Sequence, residues 1–270
     1  MLARLRRLLR PGEGDRRQRF FAEAARYTDH VSVEADGFTF LVPTGDAAAG
    51  ERFFKTRSGS EFVVLRRACE RIAPRGAFVD VGANIGTTTL PALRYFERAL
   101  AVEAEPRNAA LLRANVALNG LQDRVVVREA ACSSHEGEVE LLLSEKHGGH
   151  AVGHAKRGAR TLPVPAARLD TLVEDAGLGA ADVGLVWMDV GGYEEEVLTG
   201  AARIRDLGVP LVVEVRARTA LAVERLLSER YSRAVDLRDE AELPIAGLAD
   251  YLRRLAGRGG RKFTDVLLLP

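Results

Sequence analysis

Residues 78–86 read Phe-Val-Asp-Val-Gly-Ala-Asn-Ile-Gly, a short apolar strand that ends in an acid and a glycine turn. A helical segment follows, and a second strand then leads into Glu103-Ala104-Glu105-Pro106. Glycines let a ligand approach the backbone, and the start of a helix offers unpaired N–H groups. An acid at the end of the next strand is placed to accept hydrogen bonds from a pair of ribose hydroxyls. The stretch therefore predicts an α/β fold with a seat for a nucleotide-like ligand.

The spacing of the glycines narrows the choice of ligand. Gly82 and Gly86 give G-x-x-x-G, whereas dinucleotide-binding proteins carry G-x-G-x-x-G. A pyrophosphate requires bare backbone donors, and Asp80 just before the turn would repel it. A ligand with an ammonium, a sulfonium and a ribose fits better, so the sequence favours S-adenosylmethionine (SAM). The same features disfavour a nicotinamide-dependent dehydrogenase, which is the nearest rival enzyme.

The alternation of strand and helix patterns predicts the fold class. Strand patterns fall at 77–81, 99–103, 124–128, 183–189, 209–215, 231–236 and 263–269, with a further short one at 139–143. Helical patterns fall at 86–97, 106–118, 167–176, 193–205 and 217–230, and near 246–256. Such alternation implies parallel strands with helices on both faces, and the unbroken apolar strands are typical of burial on both sides. We therefore expect one doubly wound α/β domain.

The N-terminal part of the chain is expected to form a small cap. Two strand patterns, at 31–35 and 38–42, flank Asp36-Gly37, a strong signal for a hairpin outside the main sheet. Before them lies an arginine-rich stretch with regularly spaced leucines, which we interpret as a packed leader helix ended by Pro11-Gly12; a basic amphipathic helix that touches a membrane or a partner is the alternative. We place the cap at residues 1–60 and the main domain at residues 61–270.

The composition excludes several classes of partner. With 47% hydrophobic residues in 270, the chain can bury one large core. A net charge of +1 and 6% aromatic residues argue against a nucleic-acid methyltransferase, which should carry a basic patch with stacking aromatics. No apolar run approaches the roughly 20 residues of a membrane span. Cys69 and Cys132 form no motif and are expected to be reduced, so the sequence favours a cytoplasmic protein without membrane span or nucleic-acid partner.

Short motifs distributed over residues 60–270 carry a family resemblance. They are Asp80-Val81-Gly82-Ala83-Asn84-Ile85-Gly86, Glu105-Pro106, Asn119-Gly120, Ala131 with Gly137, Arg168-Leu169-Asp170 and Trp187-Met188-Asp189-Val190-Gly191-Gly192-Tyr193-Glu194. Together they resemble the FkbM-type SAM-dependent methyltransferases. The resemblance implies the Rossmann-like fold of class I methyltransferases, a seven-stranded sheet whose last strand, 263–269, is antiparallel. It also implies methyl transfer, usually to an oxygen, with SAM at the carboxyl ends of the first strands.

Three positions depart from the pattern of that family. Ala104 stands where many members have Phe, Trp187 where many have Lys, and Gly191 where most have Glu or Gln. The change at Gly191 removes a side chain that could orient the substrate or handle a proton. It therefore leaves open a SAM-binding protein without catalysis, with a regulatory or scaffolding role, as a rival from another functional class.

The expected cofactor site combines residues from successive strand ends. Asp80 would hold the methionine ammonium, and the glycines of its turn would let the methionyl part lie against the backbone. Glu105 would accept the ribose hydroxyls, because Pro106 begins a helix and fixes the acid at the mouth of the strand; Glu103 competes for this role from a deeper position. Small residues at 130–131 would leave room for adenine. The predicted set is Asp80, Gly82, Asn84, Gly86, Glu105, Ala131 and Asp189.

The expected catalytic residues are Asp189, Glu194 and His150. Asp189 ends an apolar strand, so its carboxylate should face the transferable methyl group, and Glu194 follows in the first turn of the next helix. His150 lies between His147 and His154 in a glycine-rich stretch and could act as a general base. A metal cluster and a solvated loop without a role are the alternatives, and we predict no metal because a zinc site needs three or four converging ligands.

The expected reaction is an in-line displacement at the sulfonium methyl by a hydroxyl oxygen of a small molecule, sugar or other glycan, or natural product. Either Asp189 or a loop histidine could take the hydroxyl proton, and the sequence favours neither.

Overall fold

The structure is a computed structural model that describes residues 13–44, 60–143, 151–152, 160–257 and 260–270. Its strands are β1 (His30–Ala35), β2 (Phe38–Pro43), β3 (Ala77–Val81), β4 (Arg98–Glu103), β5 (Val125–Glu129), β6 (Ala131–Cys132), β7 (Gly137–Leu142), β8 (Ala151–Val152), β9 (Thr161–Ala167), β10 (Val183–Met188), β11 (Leu211–Arg216), β12 (Arg233–Asp236), β13 (Glu242–Pro244) and β14 (Phe263–Leu269). Its helices are α1 (Glu13–Ala24), α2 (Ser60–Arg71), α3 (Thr89–Ala92), α4 (Pro106–Leu118), α5 (Leu169–Asp175), α6 (Glu194–Thr199), α7 (Ala202–Asp206), α8 (Ala220–Leu227) and α9 (Leu248–Gly257), with short 3₁₀ turns at Ala180–Asp182 and Ile245–Gly247.

The main sheet has the order β13-β12-β14-β11-β10-β3-β4-β5. Strands β11, β10, β3, β4 and β5 run parallel, and β14 is antiparallel to both of its neighbours. The predicted Rossmann-like α/β sheet with an antiparallel last strand is thus confirmed. The sheet has eight strands where seven were expected, because β13 adds a three-residue edge strand. So short a segment ending in Pro244 carries no period-two pattern.

Helices cover both faces of this sheet, as the sequence predicts. One apolar core joins the sheet to helices α5–α9, and a second joins its other face to α2, α3, α4 and the N-terminal hairpin. Strand residues such as Val79 and Val186 are fully buried, since each strand interior lies between the two helical layers. The carboxyl ends of the parallel strands therefore remain the open edge where side chains can meet a ligand.

The hairpin β1-β2 forms a sheet of its own, as expected. Its two turn residues, Asp36 and Gly37, have φ of +51° and +76°, which is typical of a tight two-residue hairpin turn. Helix α4 holds the hairpin through Asn115, whose Oδ1 accepts from the amide of Leu41 at 2.6 Å. The Nδ2 of Asn115 donates to the carbonyl of Ile85 in the glycine turn at 2.8 Å. One side chain thus joins the hairpin to the turn after β3.

A third sheet, of order β6-β9-β7-β8, lies between β5 and β10 in the sequence. Only the strand at 139–143 was expected, and it is observed as β7. Strand β9 was missed because Pro163 and Pro165 interrupt its pattern. Strand β9 pairs with β6 through Ala166 and Ala167, and both prolines precede these residues. At the prolines one side of β9 is therefore an edge, where a missing N–H group costs little stability.

Three predicted helices differ clearly from the sequence-based bounds, and one of them, at 217–230, is shortened to α8. The pattern at 86–97 yields only α3, and the pattern at 193–205 is divided into α6 and α7. The division of the pattern at 193–205 lies at Gly200 and Ala201; Gly200 packs against another segment, since an added Cβ would lie 2.0 Å from the carbonyl oxygen of Ser133. Helix α1 begins just after the leader segment, and residues 1–12 with the expected leader helix lie outside the described residues. No helix in the described ranges has the length and apolar character to cross a membrane.

Candidate functional site

The turn after β3 requires glycine at two positions. Gly82 and Gly86 have φ of +86° and +92°, in the left-handed region that favours glycine. The amides of Gly82 and Ala83 donate to the carbonyl of Val102 at 2.9 and 3.0 Å, which ties the turn to β4. A Cβ on Gly82 would lie 2.1 Å from the carbonyl oxygen of Asp189. The turn is therefore packed between the ends of β4 and β10.

Asp80 lies at the carboxyl end of β3 and is only 1% exposed. Its register neighbour on β10 is the buried Trp187. The hydroxyl of Thr89 donates to Oδ2 of Asp80 at 2.5 Å. Burial raises the pKa of Asp80 to about 7; the hydrogen bond from Thr89 opposes this rise, and the nearby Glu103 adds to it. A cation placed beside Asp80 would favour its charged form.

Glu103 holds the glycine turn against the end of β4. Its Oε2 accepts from the amide of Asn84 at 2.8 Å and its Oε1 from the amide of Glu105 at 2.9 Å. Asn84 itself has φ of +51°, a conformation that asparagine tolerates better than most residues. Burial raises the pKa of Glu103 although these two hydrogen bonds oppose the shift. Glu103 therefore fixes the glycine turn to the end of β4, and each of its carboxylate oxygens accepts a backbone hydrogen bond.

Glu105 caps helix α4. Its Oε2 accepts from the amide of Asn108 at 2.7 Å, and Pro106 occupies the first helical position. The side chain is 6% exposed and lies at the mouth of β4, next to the glycine turn. Ala130 and Ala131 follow on the neighbouring strand, both buried, and the amide of Ala130 donates to the carbonyl of Glu103 at 3.1 Å. The predicted ribose and adenine residues thus lie at adjacent strand ends.

Three carboxylates form a row across β10, β11 and β14. Met188 pairs in register with Val213, so Asp189, the next residue after β10, lies beside Glu214 of β11. Glu214 in turn pairs in register with Asp265 of β14. We refer to Asp189, Glu214 and Asp265 as the acidic row.

Electrostatics couple the members of the acidic row. Asp189 is exposed at the open edge, yet the protein atoms around it reduce its solvation, and this effect together with the charges of Glu214 and Asp265 raises its pKa well above the ordinary value. Burial likewise raises the pKa of Glu214, against a salt bridge from Arg216 at 2.8 Å. Burial also raises the pKa of Asp265, against a salt bridge from Arg238 at 2.6 Å.

Glu194 begins helix α6 and is fully buried. Its Oε1 accepts from the amide of Gly192 at 2.7 Å, whereas its Oε2 has no hydrogen-bond donor among the described residues. The preceding loop is shaped by Gly191 and Gly192, with φ of +64° and +113°. The guanidinium of Arg218 donates to the carbonyl of Gly191 at 3.0 Å. Glu194 is thus placed beneath this loop, and one of its oxygens remains available for a ligand donor.

The structure brings most of the predicted residues to one edge of the sheet. The carboxyl ends of β5, β4, β3 and β10 are neighbours in that order, and the predicted cofactor residues, Asp189 among them, lie at or just after these ends. His150 and the two other histidines of its stretch lie outside the described residues, so their predicted roles stay predictions. Within the described ranges, no group of three or more His, Cys, Asp or Glu side chains is arranged to hold a metal ion.

Sequence reasoning missed Glu214, Arg216 and Thr89. The signal for Glu214 was present, because an acid inside the apolar run 211–216 is as unusual as Asp80 inside 77–81. Thr89 carried no such signal. Its contact with Asp80 depends on how the chain turns after Gly86, and threonine is common in loops.

Comparison with known proteins assigns a family. The family described as the methyltransferase FkbM domain matches residues 80–232, which is more than half of the chain and includes the glycine turn and the loop of Glu194. No curated protein matches the sequence at a significant level.

Several solved structures resemble the fold. A methyltransferase FkbM from Methylobacillus flagellatus KT matches with 18% identity over 72% of this chain and 44% of its own, at a TM-score of 0.47. TYW2 from P. horikoshii, in complex with MeSAdo, matches with 12% identity over 89% of this chain and 70% of its own, at 0.44. A precorrin 8w decarboxylase from Methanobacterium thermoautotrophicum matches with 13% identity over 78% and 90%, at 0.43. The chain thus spans less than half the length of the Methylobacillus protein.

Proposed function

The chain belongs to the FkbM methyltransferase domain family, and from this premise we propose that it transfers a methyl group from SAM to a hydroxyl oxygen of a small molecule or glycan. The family makes it a methyltransferase; the donor, the oxygen acceptor and the residues below are the proposal. The single observation that carries the choice of SAM is the buried Asp80 at the end of β3, directly before the glycine turn.

Asp80 suits an ammonium and not a phosphate. A buried carboxyl with a pKa of about 7 is partly ionised at neutral pH, and a nearby cation would complete its ionisation. A phosphate in the same place would meet a negative charge and would keep the carboxyl protonated. The methionine ammonium of SAM, bound directly or through a water molecule, is therefore the matching group.

The remaining cofactor contacts follow from the neighbouring strand ends. Gly82 and Gly86 let the methionyl part lie against the turn, in which Asn84 is held by Glu103. Glu105 offers a carboxylate at the mouth of β4 for the ribose hydroxyls, and its Oε2 also caps α4. Ala131 leaves room for the adenine beside β5. The residues present thus fit the three parts of SAM.

The reaction needs orientation and a proton acceptor. Bound SAM would supply the methyl group and a neutral thioether as leaving group. The strand ends orient the acceptor in line with the methyl carbon, and such positioning can contribute on the order of 7–11 kcal/mol. We assign Asp189 as the group that takes the hydroxyl proton, because it is exposed and its backbone adjoins the turn: its amide donates to the carbonyl of Val81 at 3.0 Å. Glu194 Oε2, which lacks a donor among the described residues, can accept from a second hydroxyl of the acceptor.

Calorimetric titration with SAM, its demethylated product S-adenosylhomocysteine (SAH) and NAD tests this function. We expect both sulfur ligands to bind and NAD not to bind. Asp80→Asn should weaken the binding of SAM and SAH, while Asp175→Asn, an exposed carboxyl of the same type on α5, should leave it unchanged. Binding of NAD in preference to SAM would overturn the proposal and favour a dehydrogenase.

Catalysis is tested separately. Extract of the native host, incubated with the protein and SAM, should yield a product whose mass has increased by one methylene unit. The Asp189→Asn variant should bind SAM and form little of this product. Tight binding of SAM and SAH without turnover on any hydroxylated metabolite would favour the SAM-binding protein without catalysis.

A further inference from the structure

Glu214 shares an electrostatic environment with Asp189 that the function described so far does not use. Asp189 directly follows Met188, whose register partner on β11 is Val213, and Glu214 directly follows Val213; Glu214 is only 8% exposed. Asp189 lies against the glycine turn, since a Cβ on Gly82 would meet its carbonyl oxygen. A cationic ligand in that turn would therefore lie close to Asp189, the member of the pair whose backbone touches the turn.

Two further elements bring negative groups to Asp189. Asp265 of β14 and Glu61 of α2 both act on Asp189, and Arg216 opposes them. Arg216 also forms its salt bridge with Glu214, so among the described residues Glu214 has a direct counter-charge and Asp189 does not. With reduced solvation and several like charges nearby, two coupled carboxyls ionise in separate steps, and the carboxyl without a counter-charge keeps its proton longer.

Glu194 supplies a second observation that points to a ligand. It is fully buried, and its Oε2 has no donor among the residues that the structure describes. Its charge also acts on Glu214, so it lies close to the acidic row. A buried carboxylate oxygen without a donor is costly unless a ligand supplies the missing positive charge or hydrogen. The site is therefore incomplete until a donor or a cation enters it.

Resting on the proposed function, we propose that the Asp189–Glu214 pair senses the charge of the sulfonium: Asp189 holds a proton in the free protein and releases it when SAM, but not SAH, binds. Glu214 is the positioning residue of this device, because its charge keeps the proton on Asp189 until a cation arrives. Asp189 then becomes a base only when a transferable methyl group is present.

The chemical step balances without a further reactant. Binding of SAM sends the proton of Asp189 to solvent. During transfer the O–H bond of the acceptor breaks and its proton passes to Asp189. The oxygen bonds to the methyl carbon, and the sulfur keeps the electron pair of the broken S–C bond. The product SAH is neutral at sulfur, so Asp189 retains the proton that it took, and the free state is restored.

Proton release measured by calorimetry tests the inference. The full chain is titrated with SAM and with SAH in two buffers of different ionisation enthalpy, which gives the number of protons released by each ligand. Asp80 contributes equally to both, because both ligands carry the same ammonium. We expect SAM to release more protons than SAH, by up to one, and the ratio of SAM affinity to SAH affinity to rise with pH by up to about tenfold per pH unit.

Variants test whether the difference in proton release between SAM and SAH arises from Asp189 and Glu214 or from a general effect of charge. Glu214→Gln keeps a partner for Arg216 but removes the charge, and it should abolish the difference between SAM and SAH; Glu214→Asp should restore part of it. Asp189→Asn, at an exposed position with little risk to folding, should abolish the difference as well. Glu242→Gln, on the exposed edge strand β13, is the matched control and should leave the difference unchanged.

The outcomes distinguish the two proposals. Equal proton release by SAM and SAH, or a difference that persists in Asp189→Asn, would overturn the charge-sensing pair while the SAM site stands. Binding of neither ligand would overturn the proposed function and the pair with it.

Discussion

Asp80 shows how one buried carboxyl can set the pH range of ligand binding. Its pKa of about 7 in the free protein means that binding of an ammonium must displace a proton below that pH. We predict that the affinity for SAH, which isolates this residue from the sulfonium, falls by up to about tenfold per unit as the pH decreases below 7. Calorimetry across this range measures the slope, and Asp80→Asn should flatten it. A pH-independent affinity in the wild type would contradict the role of Asp80.

Glu105 caps helix α4, and the proposed function gives it a second role in binding the ribose; different substitutions can separate the two. Glu105→Gln keeps an oxygen that can accept from the amide of Asn108, so the helix cap should persist, while the affinity for SAM should fall by about tenfold because the charged acceptor of the ribose is lost. Glu105→Ala should in addition lower the free energy of unfolding by about 1 kcal/mol. Titration with SAM and denaturant unfolding of both variants measure the two effects. Equal SAM affinity in Glu105→Gln and the wild type would contradict the proposed role of Glu105 in binding the ribose.

At the scale of the element, the turn after β3 depends on close packing as well as on backbone conformation. Gly82 and Gly120 both have positive φ, but only Gly82 faces another segment: its Cβ would lie 2.1 Å from the carbonyl oxygen of Asp189, while that of Gly120 meets nothing within 4 Å. We predict that Gly120→Ala costs about 1–2 kcal/mol of stability from strain alone. Gly82→Ala should cost more and should also abolish SAM binding, as unfolding and titration experiments can show. Similar losses for both variants would contradict the packing argument.

Elements with a strong local pattern were predictable, and those set by tertiary contact were not. The helix at 106–118 and the strands at 77–81 and 263–269 match the sequence-based bounds, because a proline start or an uninterrupted apolar run fixes them. The chain divides into two helices at Gly200, which packs against the carbonyl of Ser133, 67 positions earlier, and no local pattern indicates this contact. Strand β9 exists because β7 pairs along its whole length, which compensates for its two prolines.

The candidate site was likewise predictable only in the part that local sequence patterns determine. Asp80, Glu105 and Asp189 were recognisable as acids at strand ends. The electrostatic influence of Glu214 on Asp189 and the hydrogen bonds of Glu103 to the turn depend instead on strand register and on the path of the turn. Register between parallel strands is set by the packing of the whole sheet, so a sequence without its fold does not disclose it.

For the whole molecule, the buried carboxyls predict how stability depends on pH. Asp80 has a folded pKa of about 7, above its ordinary value of 3.8, so the folded state binds more protons than the unfolded state between these values. The contribution of Asp80 to stability is therefore greatest below the unfolded pKa and is lost as the pH rises through 7. We predict that the ligand-free protein loses about 1 kcal/mol more between about pH 6 and 8 than Asp80→Asn does. Denaturant unfolding at both pH values measures this, and a larger loss in the variant would reverse the assignment.

The amide of Asn115 bridges three regions that lie far apart along the chain. It bonds the hairpin at Leu41, belongs to helix α4, and reaches Ile85 at the floor of the glycine turn. Two hydrogen bonds of Asn115 thus connect the N-terminal hairpin to the glycine turn, so the hairpin cannot be shortened or redesigned independently of that turn. We expect that changes to this hairpin will also change the affinity for the proposed methyl donor, SAM.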